Sequence, residues 1–195
     1  MSALSLAAVR EQPHPDAVVD PDAAEAAVAD LLTAVGLDPG EDRLTGTPRR
    51  VAQTLIELLQ PTELTVSTMP AEGFGELVLM RGIPFQSLCE HHMLPFRGTA
   101  TIGYLPGARI AGISALPRIV EHYARGLQLQ ERFTAQIADR LERELAPRGL
   151  GVLIEAEQLC MSLRGVGTPA TTTVTCAYRG ELASGGPWRE QFDRG

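Results

Sequence analysis

Cysteine is scarce in this chain. Three cysteines in 195 residues, at positions 89, 160 and 176, are too few and too uneven for a disulfide framework, so the expected setting is a reducing one, the cytoplasm. Positive charge is also short: 17 Lys and Arg against 24 Asp and Glu leave a net charge of −7 at pH 7. That balance argues against a nucleic-acid or anionic-membrane partner, and any anionic substrate would need a local basic patch. No apolar run reaches the about 18 residues that would suggest a membrane span. Met1 to Arg10 has no long apolar run behind a basic start, so no signal peptide is expected. Internal repeats are lacking, and the four histidines are His14, His91, His92 and His122.

What is present suffices for a packed domain. Hydrophobic residues make up 44% of the chain, and the length suits one domain with a helical appendage. Residues 1–19, punctuated by Pro13 and Pro15, read as a mobile arm. A helical segment is expected over 20–75. Asp20-Pro21 supplies a cap and a first-turn proline, Val28, Leu31, Leu32 and Val35 an apolar face, and Gly36 a stop. Thr47-Pro48 repeats the start signal, with Val51, Leu55, Leu58 and Leu59 as the second apolar face, and 61–75 reads as loop. The main domain is expected over 76–195. A strand beginning at Leu77–Met80 pairs with Arg97–Tyr104. A helix capped by Ser114 turns Ile119, Val120 and Tyr123 inward. A second helix spans Gln130–Leu145 with Phe133, Ile137, Leu141 and Leu145 at every fourth position, ended by Pro147 and Gly149. Gly151–Arg164 reads as a strand that places Gln158, Cys160 and Arg164 on one face. Ala170–Tyr178 is a last strand, Pro187–Phe192 a short helix, and Cys176 buried packing.

The chemistry concentrates in Ser87-Leu88-Cys89-Glu90-His91-His92. A thiolate and an imidazole three residues apart can reach one tetrahedral ion, a donor set that suits Zn²⁺. Cys160 can supply a third protein ligand and leave a fourth position for solvent, the arrangement of a catalytic zinc. The alternative for each residue alone is ordinary packing: a cysteine as a small buried hydrophobe, a histidine as a satisfied polar group.

These residues resemble the signature of the GTP cyclohydrolase I family. The likeness continues in Gly103-Tyr104-Leu105-Pro106, Gly112-Ile113-Ser114 with Arg118, Gln128-Leu129-Gln130-Glu131-Arg132, and Cys160 with Arg164-Gly165-Val166. The resemblance implies an α+β tunnelling fold (T-fold): an antiparallel sheet with packed helices and an N-terminal helical segment. It also implies a cytoplasmic homodecamer of two pentamers with sites between subunits. The reaction it implies is zinc-dependent: the guanine imidazole ring of GTP opens at C8, formate leaves, and 7,8-dihydroneopterin triphosphate forms. By resemblance Cys89, His92 and Cys160 hold zinc, His91 shuttles protons, Glu131 reads the guanine edge and Gln130 frames the base. Ser114, Arg118 and Arg164 hold the ribose-triphosphate, and Arg50 reaches phosphates in a neighbouring subunit's site.

Two positions depart from the family pattern. Gln158 stands where the family has an acid-base histidine, and no histidine follows His122. Ala115 stands where the family usually has a phosphate-binding lysine. The sequence therefore leaves three readings open. The first is the full reaction. The second is a specialised purine-ring hydrolase that stops at the formamidopyrimidine or takes a guanine compound with fewer phosphates. The third is a non-catalytic member that binds zinc and nucleotide.

Overall fold

The computed structural model describes residues 18–60, 62–165, 167–168 and 170–194. The arm expected over 1–19 lies outside the described residues, except for its last two. The described residues form two compact units that meet in sequence between residues 60 and 62.

The smaller unit holds helices α1 (Pro21–Ala34) and α2 (Thr47–Leu59). Asp20 caps α1 by accepting a bond from the Ala23 N–H, as Asp-Pro at a helix start predicts. The cap of α2 falls one residue earlier than the sequence suggested. Gly46 is the N-cap and Thr47 already lies inside the helix. The expected apolar faces are not buried either: α1 buries no residue, α2 buries Pro48 and Ala52, and Leu31, Val35 and Val51 are exposed.

The larger unit is built on a five-stranded sheet. In chain order its elements are β1 (Thr68–Pro70), β2 (Val78–Cys89), β3 (Pro95–Leu105), β4 (Arg109–Ala111), α3 (Ala115–Ala124), β5 (Leu127–Gln128), α4 (Gln130–Leu145), β6 (Gly149–Gln158), α5 (Leu159–Ser162), β7 (Thr172–Arg179), α6 (Gly180–Ala183) and α7 (Pro187–Asp193). The sheet order is β5-β2-β3-β6-β7, with β2, β3, β6 and β7 antiparallel and β5 parallel to β2. β1 and β4 form a separate small ribbon inside the stretch expected to be loop on one side. This is the antiparallel sheet with packed helices that the sequence led us to expect.

One face of the sheet carries the main core. Ala100, Ile102 and Tyr104 of β3 and Leu150, Val152 and Ile154 of β6 alternate inward, and α3 and α4 cover them. The fourfold repeat of Phe133, Ile137, Leu141 and Leu145 is buried throughout. Ala146 closes α4 in the left-handed conformation (φ 41°), a role expected of Pro147 and Gly149. On the opposite face Phe192 of α7 packs on Gly103 and Gly151, which are register partners across β3 and β6. A side chain at either glycine would meet the phenyl ring, at 2.6 and 3.0 Å from the added Cβ.

The strand expected over 151–164 stops at Gln158. Leu159–Ser162 is a turn of α-helix instead, so the two-residue alternation does not extend to Cys160 and Arg164. Cys176 is exposed on β7, not buried.

Strands β3 and β6 approach closely at Gly98, where an added Cβ would lie 1.8 Å from the Glu155 carbonyl oxygen. Gly98→Ala must push the two strands apart, at a cost of about 3 kcal/mol. The expected result is a Tm lower by about 6–12 °C in thermal unfolding.

Candidate metal centre

Several chain segments end at the same edge of the sheet. β2 finishes at Cys89 and turns back into β3, with the Cys89 N–H donating to Leu94 O at 2.9 Å. Within that turn the His92 and Met93 N–H groups both donate to Cys89 O, and Met93 takes φ 53° to close it. β6 ends beside the same turn because Gln158 pairs with Phe96, the second residue of β3. Gln128 of β5 lies next to Cys89 on the other side, and α4 starts two residues later.

This convergence gathers Cys89, His92 and Cys160. Their donor atoms, two Sγ and one ring nitrogen, all lie within 4.8 Å of one another. Among the described residues this is the one His, Cys, Asp and Glu group of that kind. Cys89 is buried, Cys160 half-buried and His92 exposed, so the cluster opens to solvent on the histidine side. Cys160 reaches Cys89 by the helical turn of α5, not by strand alternation.

The donor set fits a divalent cation of zinc's preferences. Burial pushes the Cys160 thiol up, and the adjacent Cys89 raises it further, while the Arg164 guanidinium pulls it down. Two sulfurs this close disfavour a pair of thiolates in the absence of a cation, and a cation reverses that preference. Three protein donors of the type S, S and N match known catalytic zinc sites.

The remaining residues singled out from sequence are placed as follows. His91 is exposed beside the cluster, its Nδ1 at 3.9 Å from Cys89 Sγ, and its ring lies edge-on to His92 with centroids 6.3 Å apart. Glu131 is exposed in the first turn of α4, where the helix dipole favours a carboxylate. Gln130 is buried, and its Nε2 donates to Ile154 O at 3.1 Å and Thr173 O at 2.9 Å. Its Oε1 accepts from Gln158 Nε2 at 2.7 Å. Ser114 occupies the N-cap of α3 without a side-chain capping bond and is exposed.

Arg118, on the exposed side of α3, lines an open cavity of about 360 Å³ with Thr62, Glu63, Thr65 and Glu121. Arg164 is exposed just beyond α5. Arg50 belongs to the smaller unit, where its guanidinium donates to the Thr47 hydroxyl at 3.2 Å. Ala115 is 1% exposed, part of the core under α3.

Residues 24–194 match the family described as GTP cyclohydrolase I. The chain belongs to the GTP cyclohydrolase I family. GTP cyclohydrolase 1 of Mycobacterium bovis is 48% identical over 169 residues, covering 84% of each chain. The protein of that name from Mycobacteroides abscessus is 48% identical over 176 residues, covering 87% of this chain and 86% of that one. The one from Mycobacterium leprae is 46% identical over 171 residues, covering 85% and 83%. Among solved structures, the apo form of the archaeosine synthase QueF-Like aligns with a TM-score of 0.46 and 16% identity, over 57% of this chain and 96% of that one. The T-fold expected from the sequence is the fold of the GTP cyclohydrolase I family. No helix among the described residues is long and apolar enough to cross a membrane.

Sequence reading passed over Glu90 and Arg132, which form a hydrogen-bonded ion pair at the base of the Cys89–His92 turn. The signal available was their position: Glu90 lies between two candidate ligands, and Arg132 closes the Gln128-Leu129-Gln130-Glu131-Arg132 motif.

If the cluster holds zinc, removing one sulfur removes the ion. Zinc content by elemental analysis should be stoichiometric in the wild type and in Cys176→Ala. It should fall to near zero in Cys160→Ala.

Proposed function

We propose that this chain is a zinc-dependent hydrolase of GTP that opens the guanine imidazole ring at C8, releases formate and forms 7,8-dihydroneopterin triphosphate. The observation that carries the reading is the Cys89, His92 and Cys160 cluster, open on its histidine side, in a chain of the GTP cyclohydrolase I family. Zinc bound there would supply a Lewis acid that makes water nucleophilic at neutral pH.

The chain's own residues then have separable tasks. His91, exposed beside the cluster, takes and returns protons near C8, which suits an imidazole at neutral pH. Glu131 accepts from guanine N1–H and the 2-amino group. One carboxylate pairs with both donors and rejects adenine, which presents neither in that pattern. Gln130 frames the base indirectly, since its amide is engaged by Gln158 and two backbone carbonyls.

Ser114, Arg118 and Arg164 hold the ribose-triphosphate, and Arg50 joins them from a neighbouring subunit in a decamer of two pentamers. All 17 basic residues of this chain are arginines, so no lysine elsewhere replaces the one the family usually has at position 115. The loss of one charge-assisted contact weakens phosphate binding by about ten- to a hundredfold. The helical segment 20–75, the domain 76–195 and a cytoplasmic setting complete the reading.

A second reading rests on Gln158. Its Nε2 donates to Gln130 Oε1 at 2.7 Å, so the amide is held in the sheet by a bond that uses one of its two N–H groups. A primary amide exchanges no proton at neutral pH, so the second hydrolysis, which releases formate from the ring-opened formamide, lacks an acid-base group at this position. On that reading the chain delivers the formamidopyrimidine nucleotide.

Zinc-loaded protein incubated with GTP distinguishes the two. Formate and pterin fluorescence together are expected for the full reaction. A ring-opened product without formate identifies the shorter one, and no turnover with GTP, GMP or guanosine refutes both. Gln158→His should raise the ratio of pterin to ring-opened product if the amide limits the second step. Glu131→Gln should lower kcat/KM for GTP by about 10–100-fold through loss of a charged acceptor.

A further inference from the structure

The Cys89–His92 turn is held from outside by one continuous segment of chain. The Glu90 N–H donates to Gln128 O at 3.0 Å. The Glu90 carboxylate accepts from Arg132 Nη2, which also donates to Leu127 O at 3.0 Å. Arg132 Nε donates to Gln128 Oε1 at 2.9 Å, closing a ring of bonds around Glu90. Gln128 is itself anchored: it is 0% exposed, and its Nε2 donates to Tyr123 O at 2.9 Å and Gln136 Oε1 at 2.7 Å. Both the backbone and the side chain of Glu90 are therefore fixed by residues 127–132.

We propose that Arg132 is a positioning residue for the metal centre, acting through Glu90. The inference rests on the zinc reading of the Cys89, His92 and Cys160 cluster. Glu90 separates Cys89 from the two histidines, so fixing it removes freedom from the backbone that carries His92 away from Cys89. The strand ladder holds Cys89 but ends there, and the β2–β3 turn contains Met93 in the left-handed region (φ 53°), which a non-glycine residue enters only when its surroundings enforce it. The planar guanidinium meets three acceptors at once: an amide oxygen, a backbone carbonyl and a carboxylate. A lysine ammonium has three donors but no fixed fork, and cannot reproduce that geometry.

Position along α4 adds a second consequence. Consecutive residues on a helix are about 100° apart, so Gln130 and Arg132 leave it on opposite sides. Gln130 is anchored to β6, β7 and Gln158, and Arg132 to the Cys89–His92 turn. Glu131 sits between two fixed neighbours, which sets the rotation of the helix start and with it the direction of its carboxylate.

The test is metal affinity and coordination in the full-length protein. Zinc affinity is measured by chelator competition, and Co²⁺ substituted for zinc reports geometry through its visible absorption. Arg132→Met and Glu90→Gln should each weaken zinc binding by about tenfold or more and lower the tetrahedral Co²⁺ band. Arg132→Lys should restore part of the loss. The double variant should be no worse than Arg132→Met alone, because both remove one link.

Glu144→Gln, which breaks the Arg140 pair further along α4, should leave affinity and spectrum unchanged. Should Arg132→Met fail to fold, the half-exposed Glu90→Gln carries the test. Wild-type affinity and spectrum in folded Arg132→Met and Glu90→Gln overturn this proposal alone. A wild-type protein that takes up neither zinc nor Co²⁺ overturns the metal reading together with it.

Discussion

The closeness of two sulfur atoms depends on where two strands stop. Cys89 is the last residue of β2, and Cys160 follows the last residue of β6 by two positions. Neither strand touches the other: β3 lies between them, bonded to both. The cluster exists because the register of β3 sets Leu88 opposite Pro95 and Phe96 opposite Gln158. A slip of one residue in either ladder would turn every side chain of a strand to the wrong face and move one sulfur along the edge of the sheet. The buried alternation of β3 and β6 against α3 and α4 resists that slip, because it would expose Ile102, Tyr104, Val152 and Ile154. The hydrophobic core thus fixes the geometry of a polar site at its rim.

Legibility in the sequence followed local determination. Helix α4 is found at the bounds expected, Gln130–Leu145, because a fourfold apolar repeat leaves no other element able to bury it. The start of α1 was equally clear, since the Asp20 side chain and Pro21 act within one turn. Where the outcome depends on distant chain, the reading weakened. Leu159-Cys160-Met161-Ser162 is apolar enough to continue β6, but its ladder partner β3 begins at Pro95, one residue before the partner of Gln158, and a proline has no N–H to donate to a further rung. Cys176 looks like a core residue by type, yet it falls on the exposed side of β7. The apolar stripes of α1 and α2 were visible, but periodicity does not say what covers a stripe. The family motifs pointed to the candidate ligands more directly than any pattern, whereas Glu90 and Arg132 carry no signal beyond adjacency to them.

The net charge of the chain is −7 at pH 7. An acidic protein that handles a triphosphate must concentrate positive charge where it is needed. Arg118 shares its cavity with Glu63 and Glu121, so within one chain this wall is not a strong anion site. Arg164 is exposed just beyond α5, close enough to Cys160 to oppose the rise that burial and Cys89 impose on that thiol. A phosphate clamp assembled from such parts gains most if further arginines arrive from another chain, which is compatible with the role that family resemblance gives Arg50 under the proposed function.

The replacement of an imidazole by an amide at 158 is the point at which fold and chemistry separate. Structurally the glutamine is well accommodated. One of its N–H groups meets the side-chain oxygen of Gln130, and Gln130 in turn donates to two carbonyls of the sheet. A neutral histidine could make the same bond from one ring nitrogen and keep the other for proton transfer. The glutamine makes that bond with one N–H and retains a second N–H and a carbonyl oxygen, which can orient a water and cannot take its proton. Stability therefore discriminates little between the two residues, while any step that needs a proton moved at that place discriminates strongly. Under the proposed function, release of formate would then draw its proton from another group, and His91, exposed beside the cluster and outside its three ligands, is the nearby imidazole that could supply it.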